Sequence, residues 1–284
     1  MRVAINHETI YRYQSAANYS VQYLRLTPIS GATQRVLSWK LTGPGNLRPW
    51  TDAFGNAAHV LVIDKPHEEI RISAVGEVEI ADGGKPLLSD GEPHSPELFL
   101  RSTRLTECDD RVGRFAQGFK PAFLSSSRKG LDRLMQGVRD AVDYKPGTTH
   151  SATSAREALD RKSGVCQDHA HLFVTCARSL GVPARYVSGY LCTDTAGDEQ
   201  MASHAWAEAW VEGAGWLSYD IANRMSNARA HVRVAVGLDY LDAAPVRGIR
   251  RGGHGEELEV EVSVNDARKV KPMQAVQPQK QQQQ

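Results

Sequence analysis

Strict alternation of apolar and polar residues marks the first third of the chain. In EIRISAVGEVEI, residues 69–80, Ile70, Ile72, Ala74, Val78 and Ile80 share one parity and the charges largely take the other. That is the period of a strand with one buried face. VAINHETIYRY, SVQYLRLT, RVLSWKLTG and AAHVLVID predict further strands, with a turn at Asp52–Gly55 between two of them. A Gly-, Pro-, Asp- and Ser-rich stretch follows at 81–95, and such residues punctuate structure. The reading is a β-rich domain at 1–81 and a linker at 82–98. The period then changes. Leu131, Leu134, Met135, Val138 and Val142 recur at helical spacing until Tyr144-Lys145-Pro146-Gly147 stops them. Ser154 and Glu157 have capping-box spacing and predict a short helix ending by Gly164. CQDHAHLFVTCARSLGVPA predicts an amphipathic helix closed by Gly181 and Pro183. ARYVSGYL predicts a strand. SHAWAEAWV and WLSYDI predict a hairpin turning at Gly213-Ala214-Gly215, and EELEVEVSV a closing strand at 256–264. The second domain is thus set at 99–266. Residues 267–284 hold seven Gln and no acid, too little apolar surface to order, and predict a disordered tail.

Composition narrows the function classes. The 284 residues carry 34 Lys+Arg against 33 Asp+Glu, a net charge of +1. This balance gives no electrostatic reason to bind nucleic acid or an anionic membrane. The tail contributes Arg268, Lys269, Lys271 and Lys280, so the remainder is mildly acidic. No apolar run is long enough for a transmembrane helix, and MRVAINHETIYRYQ lacks the apolar h-region of a secretory leader. Cys108, Cys166, Cys176 and Cys192 form no CxxC pair and are too sparse for a disulfide scaffold. Free thiols in the cytoplasm are the expectation.

One of those thiols sits where a nucleophile would. In Gly164-Val165-Cys166-Gln167-Asp168, Cys166 falls in the first turn of a helix, just after a glycine. Free N–H groups and partial positive charge at a helix start stabilise a thiolate, the nucleophilic form of cysteine. The same N–H groups can line an oxyanion hole. The thiol needs an imidazole as proton acceptor and the imidazole needs an orienting acceptor. His204, opening one hairpin strand, and Asp220, near the end of the other, fit by parity. A hairpin centred on Ala214 would put Asp220 opposite Glu208, leaving His204 four residues away, ~13 Å at strand rise. Each residue also has an ordinary reading: Cys166 as a small core side chain, His204 as a structural hydrogen-bonding group, Asp220 as a turn residue. Cys176 reads as core, and Trp206, Trp210 and Trp216 as packing, with Trp206 able to wall a cleft near His204. Cys166, His169 and His171 lack the i, i+4 pair of a helical metal site, so no metal is expected.

The combination GVCQDHAHLFVTCARSLGVPARYVSGYL and SHAWAEAWVEGAGWLSYDIANR resembles the bacterial branch of the transglutaminase-like superfamily. Val236–Tyr240 and Pro245–Gly248 are similar to that family's segment after the core. His7, Tyr11, Tyr13, LRLTP and Asp52-Ala-Phe-Gly-Asn56 resemble its N-terminal β domain. The resemblance covers about residues 1 to 265. It implies an α+β, papain-like core, a nucleophile helix packed on an antiparallel sheet, behind an N-terminal all-β domain. It also implies Cys166, His204 and Asp220 as the triad and a peptide, protein or other amide as substrate, with no cofactor. Two positions depart from the pattern: Asp220-Ile-Ala-Asn223 replaces Asp-Pro-Thr-Asn, and His169 stands where an aromatic is common. Resolution of an acyl-enzyme by water would make a protease or amidase, the first expectation, since no EF-hand Ca²⁺ loop or pro-segment is present. Resolution by an amine would make a crosslinking transglutaminase. A non-catalytic scaffold on the same fold is the third reading, disfavoured because all of the triad positions match. Loops 89–96 and 193–201 are the expected cleft rims, and Asp194, Asp198 and Glu199 in the second would favour a cationic substrate.

Overall fold

The computed structural model describes residues 1–81, 94–192, 203–226 and 230–267. One long strand organises the first sheet. β1 (Arg2–Leu24) pairs along its first half with β5 (His67–Ile80) and along its second half with β4 (Ala57–Ile63). β2 (Gln34–Thr42) lies outside β5, and β3 (Leu47–Thr51), which the apolar pattern did not flag, lies outside β4. Where the sequence pattern predicts two strands, at 3–13 and 20–27, the backbone runs as one. Its register to β5 slips between Arg12 and Ala17, and an irregularity of this kind bends a strand so that it can serve two sets of partners.

The strand at 256–264 closes this sheet and not the core. β13 (Val246–Gly252) pairs with the second half of β1, and β14 (Glu257–Asp266) with the first half, from Val3 opposite Asp266 to Arg12 opposite Glu257. The division at 99–266 is therefore corrected from Val246 onward. The physical reason is the free edge of β1: a strand this long, paired on one side only, leaves a row of N–H and C=O groups open, and β13 and β14 satisfy it. Of the linker drawn at 82–98, residues 82–93 lie outside the described residues. Pro96–Leu100 form a 3-10 turn whose Phe99 is buried edge-on against Trp216, ring centroids 5.2 Å apart. The Gln-rich tail lies outside the described residues from 268 on.

The second layer is helical: α1 (Asp110–Gln117), α3 (Ser127–Ala141) and α4 (Ala155–Arg161) pack around α5 (Cys166–Ser179), and α2 (Lys120–Ser125) packs on α3. Ser154 caps α4 through the expected box with Glu157, but the helix ends at Arg161. Ser163–Gly164 (β7) instead bridge in parallel to Asp143–Tyr144 (β6). The second sheet runs in the order β11 (Met225–Ser226), β10 (Gly215–Asp220), β9 (Ser203–Val211), β8 (Ala184–Leu191), β12 (His231–Gly237), and α6 (Tyr240–Ala243) follows. α5, read from its sequence as amphipathic, is buried around its whole circumference along most of its length. Every residue from Asp168 to Arg178 is buried, with Leu172, Phe173 and Cys176 packed among Leu134, Val138, Ala207 and Tyr219.

The two sheets are joined at the exposed edge of β12. The Gln34 side chain donates to Arg233 O (2.8 Å) and accepts from Arg233 N–H (2.8 Å). Asn56 does the same at Val236, donating at 2.8 Å and accepting at 2.9 Å. Each primary amide imitates a strand residue and satisfies an edge that would otherwise be open.

Candidate active site

The position of Cys166 is set by Gly164 and Asp168. Val165 precedes α5 and has no polar side chain to cap it. Asp168 Oδ2 therefore accepts from the Val165 N–H (2.8 Å) and from the Thr149 hydroxyl (2.6 Å). A Cβ at Gly164 would lie 2.7 Å from both Asp168 Cβ and Oδ2, so only glycine lets the chain pass this close. Cys166 emerges half-buried in the first turn, where helix geometry leaves N–H groups without intrahelical acceptors.

His204 and Asp220 meet, and a shift in the turn is why. The loop joining β9 and β10 is Glu212–Ala214, one residue earlier than the pattern suggests, with Val211 opposite Gly215 and Tyr219 opposite Ala207. Asp220 thus falls beside Trp206, and His204 lies two residues along on the same face, not four. His204 Nε2–H donates to Asp220 Oδ2 at 2.9 Å. That leaves Nδ1 for the thiol of Cys166, which lines the same cavity. Burial alone would lower the His204 pKa. Hydrogen bonding to Asp220 and Cys166, with their charges, outweighs it and holds the imidazole at about 10.

Asp220 is fully buried and has partners the sequence reading missed. His231, at the start of β12, donates from Nε2 to the same Oδ2 at 2.8 Å. Asn223 donates to Oδ2 from its amide (2.8 Å) and to Oδ1 from its backbone (3.2 Å). Burial raises the Asp220 pKa, but hydrogen bonds from His204 and His231 and the charge on His204 carry it well below the usual carboxylate range. Burial lowers the pKa of His231 despite Asp220, so His231 contributes a neutral donor and Asp220 keeps its negative charge for His204. His231 reaches Asp220 from across β8 and β9: Gly189 of β8 lies opposite both His204 and Arg233. A Cβ there would meet the Trp206 ring at 2.7 Å, and Trp206 stacks on His204 with centroids 6.3 Å apart. Only the glycine before Tyr190 signals this in the sequence.

His204 Nε2, Asp220 Oδ2 and His231 Nε2 also form a candidate metal trio, all within 4.8 Å. Their spacings of 2.9 and 2.8 Å are hydrogen bonds. A Zn²⁺ ion with bonds of ~2.0–2.1 Å would hold its ligand atoms ~3.3 Å apart, so the trio as built shares protons. Cys166 stands apart from His169 and His171, which face elsewhere: His169 Nε2–H donates to Val142 O (2.8 Å), and His171 Nε2 accepts from the Tyr240 N–H (3.0 Å). Beside Cys166 and His204 lies a cavity of about 260 Å³, walled in part by His7, Thr9 and Tyr11 of β1. The expected rim at 193–201 lies outside the described residues, and so does most of 89–96.

Comparison with known proteins agrees with this architecture. Residues 116–221 match the family described as the transglutaminase-like superfamily, and residues 3–79 match the bacterial transglutaminase-like N-terminal region. An uncharacterized protein of Mycobacterium leprae is 33% identical over 277 residues, 93% of this chain and 98% of that one. A protein-glutamine gamma-glutamyltransferase of Pseudomonas aeruginosa is 31% identical over 123 residues, 40% of this chain but 18% of that one. A crystal structure of a candidate cysteine protease from Cytophaga hutchinsonii superposes with a TM-score of 0.74 at 20% identity, over 94% of this chain and 91% of that one, a likeness of fold.

Proposed function

Because the chain belongs to the transglutaminase-like superfamily, with the bacterial N-terminal region ahead of the core, we propose that it is a thiol amidase: Cys166 is the nucleophile, His204 the proton shuttle and Asp220 the orienting carboxylate. The observation that carries this reading is the imidazole of His204, hydrogen-bonded to the buried Asp220 at 2.9 Å and facing the cavity that Cys166 also lines. Water is the acyl acceptor. Among the described residues no Asp or Glu lines the cavity, so nothing there gathers an ammonium-bearing co-substrate.

The steps balance around one proton. His204, held protonated at neutral pH, already carries the proton of Cys166, and the thiolate attacks the amide carbonyl carbon, forming C–S. The first-turn N–H of Cys166 faces the developing oxyanion. The C–N bond breaks as the imidazolium returns the proton to the leaving amine. Water then attacks the thioester, giving its proton to His204. C–S breaks, the acid leaves and the imidazolium reprotonates the thiolate. Asp220 keeps its charge throughout and stabilises the imidazolium at each stage.

Alkylation by iodoacetamide near pH ~6–7 tests the nucleophile. Cys166 should label selectively and fast, and lose that reactivity in His204→Ala. Cys166→Ala should abolish release of amine from an amide substrate. Equal, slow labelling of all four cysteines would overturn the reading. Adding excess primary amine distinguishes the acceptors: the acid should remain the main product, whereas a dominant transamidation product would make this chain a crosslinking enzyme.

A further inference from the structure

The cavity beside Cys166 is bounded by two sheets. Tyr186 and Tyr240 come from the core, Thr9 and Tyr11 from β1, and Leu258 and Val260 from β14. The sequence of β14 alternates for a reason. Glu257, Glu259 and Glu261 take the far face, where Glu259 pairs with Arg12. Leu258 and Val260 take the face toward the cavity, yet remain 53% and 49% exposed. Among the described residues, nothing covers these apolar side chains beside the thiol.

Apart from Cys166 and His204 themselves, the described lining is also uncharged. Among the described residues no Asp, Glu, Lys or Arg faces the cavity. His7 is hydrogen-bonded by Tyr190 (2.8 Å) and Thr9 (2.9 Å) and is kept neutral by burial, its pKa pushed down to about 4. A charged group entering such a site would lose its hydration without gaining a counter-ion. A volume of about 260 Å³ is just below the ~300 Å³ at which sites for whole small molecules begin, so it suits one or two side chains of an extended substrate.

We propose that this cavity is the specificity subsite of the enzyme and takes an uncharged apolar side chain, aliphatic or aromatic, next to the scissile amide, with the N-terminal sheet and its returning strand β14 forming one wall. The proposal rests on the thiol acyl-transfer reading above. It makes the first sheet part of the substrate site, and it runs against the cationic preference that Asp194, Asp198 and Glu199 suggest from sequence.

Amino-acid chloromethyl ketones that differ only in side chain (Leu, Phe, Lys or Asp), blocked at the amino end, test it. The second-order rate of Cys166 alkylation is read for each and divided by the same protein's iodoacetamide rate. Leu and Phe reagents should exceed Lys and Asp reagents by about tenfold or more, the scale set by apolar pocket contacts. Val260→Lys and, independently, Leu258→Lys should collapse that ratio, and Val260→Lys should favour the Asp reagent. Equal normalised rates, faster reaction of a charged reagent, or a ratio indifferent to both substitutions would overturn the subsite. Failure of iodoacetamide to single out Cys166 would instead remove the acyl-transfer reading, and the subsite with it.

Discussion

At the residue scale the decisive group is Asp220, a buried carboxylate surrounded by donors, of which only His204 becomes a cation. Its hydrogen bond to His204, together with Cys166 and the charges of both, lifts the imidazole against burial to about 10, so the alkaline limb of the pH–rate profile should lie near there. Asp220→Asn should cut turnover by about 10⁴ and move that limb down toward the ordinary histidine value of ~6.5. An unmoved limb would show that Asp220 does not set the base. His231→Phe should lower kcat and shift the limb to higher pH, because a carboxylate short of one neutral donor grips the imidazolium harder. His231→Gln, which keeps an N–H, should restore most of both. A purely packing role for His231 would leave the limb in place in either variant. Cys166→Ala should change the melting temperature little, since a half-buried first-turn thiol leaves no closed cavity. The fully buried Cys176 is the contrasting site.

At the element scale, α5 depends on its first turn. Asp168 supplies the cap that Val165 cannot, so Asp168→Ala should cost about 1–2 kcal/mol in denaturant unfolding and slow Cys166 alkylation. Gly164→Ala should do both, because its Cβ would press on the same carboxylate. Normal stability in both variants would mean the helix start is held elsewhere. The chemistry of this element was legible: a cysteine after a glycine at a helix start is a local pattern. The approach of His204 to Asp220 was legible only in part. Parity gave the shared face, but the separation depended on which residues the turn uses, and Gly213-Ala214-Gly215 and Glu212–Ala214 are both acceptable turns on paper. The backbone chose the second, placing Gly213 and Gly215 at positive φ and halving the offset.

At the scale of the whole molecule, titration sets the conditions of stability. His7, His169 and His171 are buried, and each is pushed down to about 4. Unfolded, they would take up protons near ~6.5, so the unfolded chain binds more protons between ~6.5 and ~4, and stability must fall as pH falls through that window. His204 works in the other direction. Its folded value of about 10 exceeds the unfolded one, so its contribution is complete below ~6.5 and is lost as pH rises through about 10. Melting temperature should therefore peak near neutrality, and His171→Gln should flatten the acid side. An acid side equally steep in that variant would remove His171 from the account. Connectivity gives a second prediction. A chain ended at Pro245 loses β13 and β14 and exposes one edge of β1 along its length. It should aggregate or unfold, as read by circular dichroism and size exclusion, whereas a chain ended after Ala267 should keep the native melting temperature.

The sequence by itself determined what local physics can encode: the alternation of the β-rich start, the helix bearing Cys166, the strands bearing His204 and Asp220, and the family those segments resemble. Each depends on neighbours within a few residues, where periodicity, caps and glycine act. Only the tertiary structure decided that His231 shares Asp220, that β14 returns to β1, and that Leu258 and Val260 stand beside the thiol. His231 reaches Asp220 across β8 and β9, and β14 pairs with a strand more than two hundred residues earlier. Such contacts are fixed by edge pairing and burial over the whole chain, which no local pattern records.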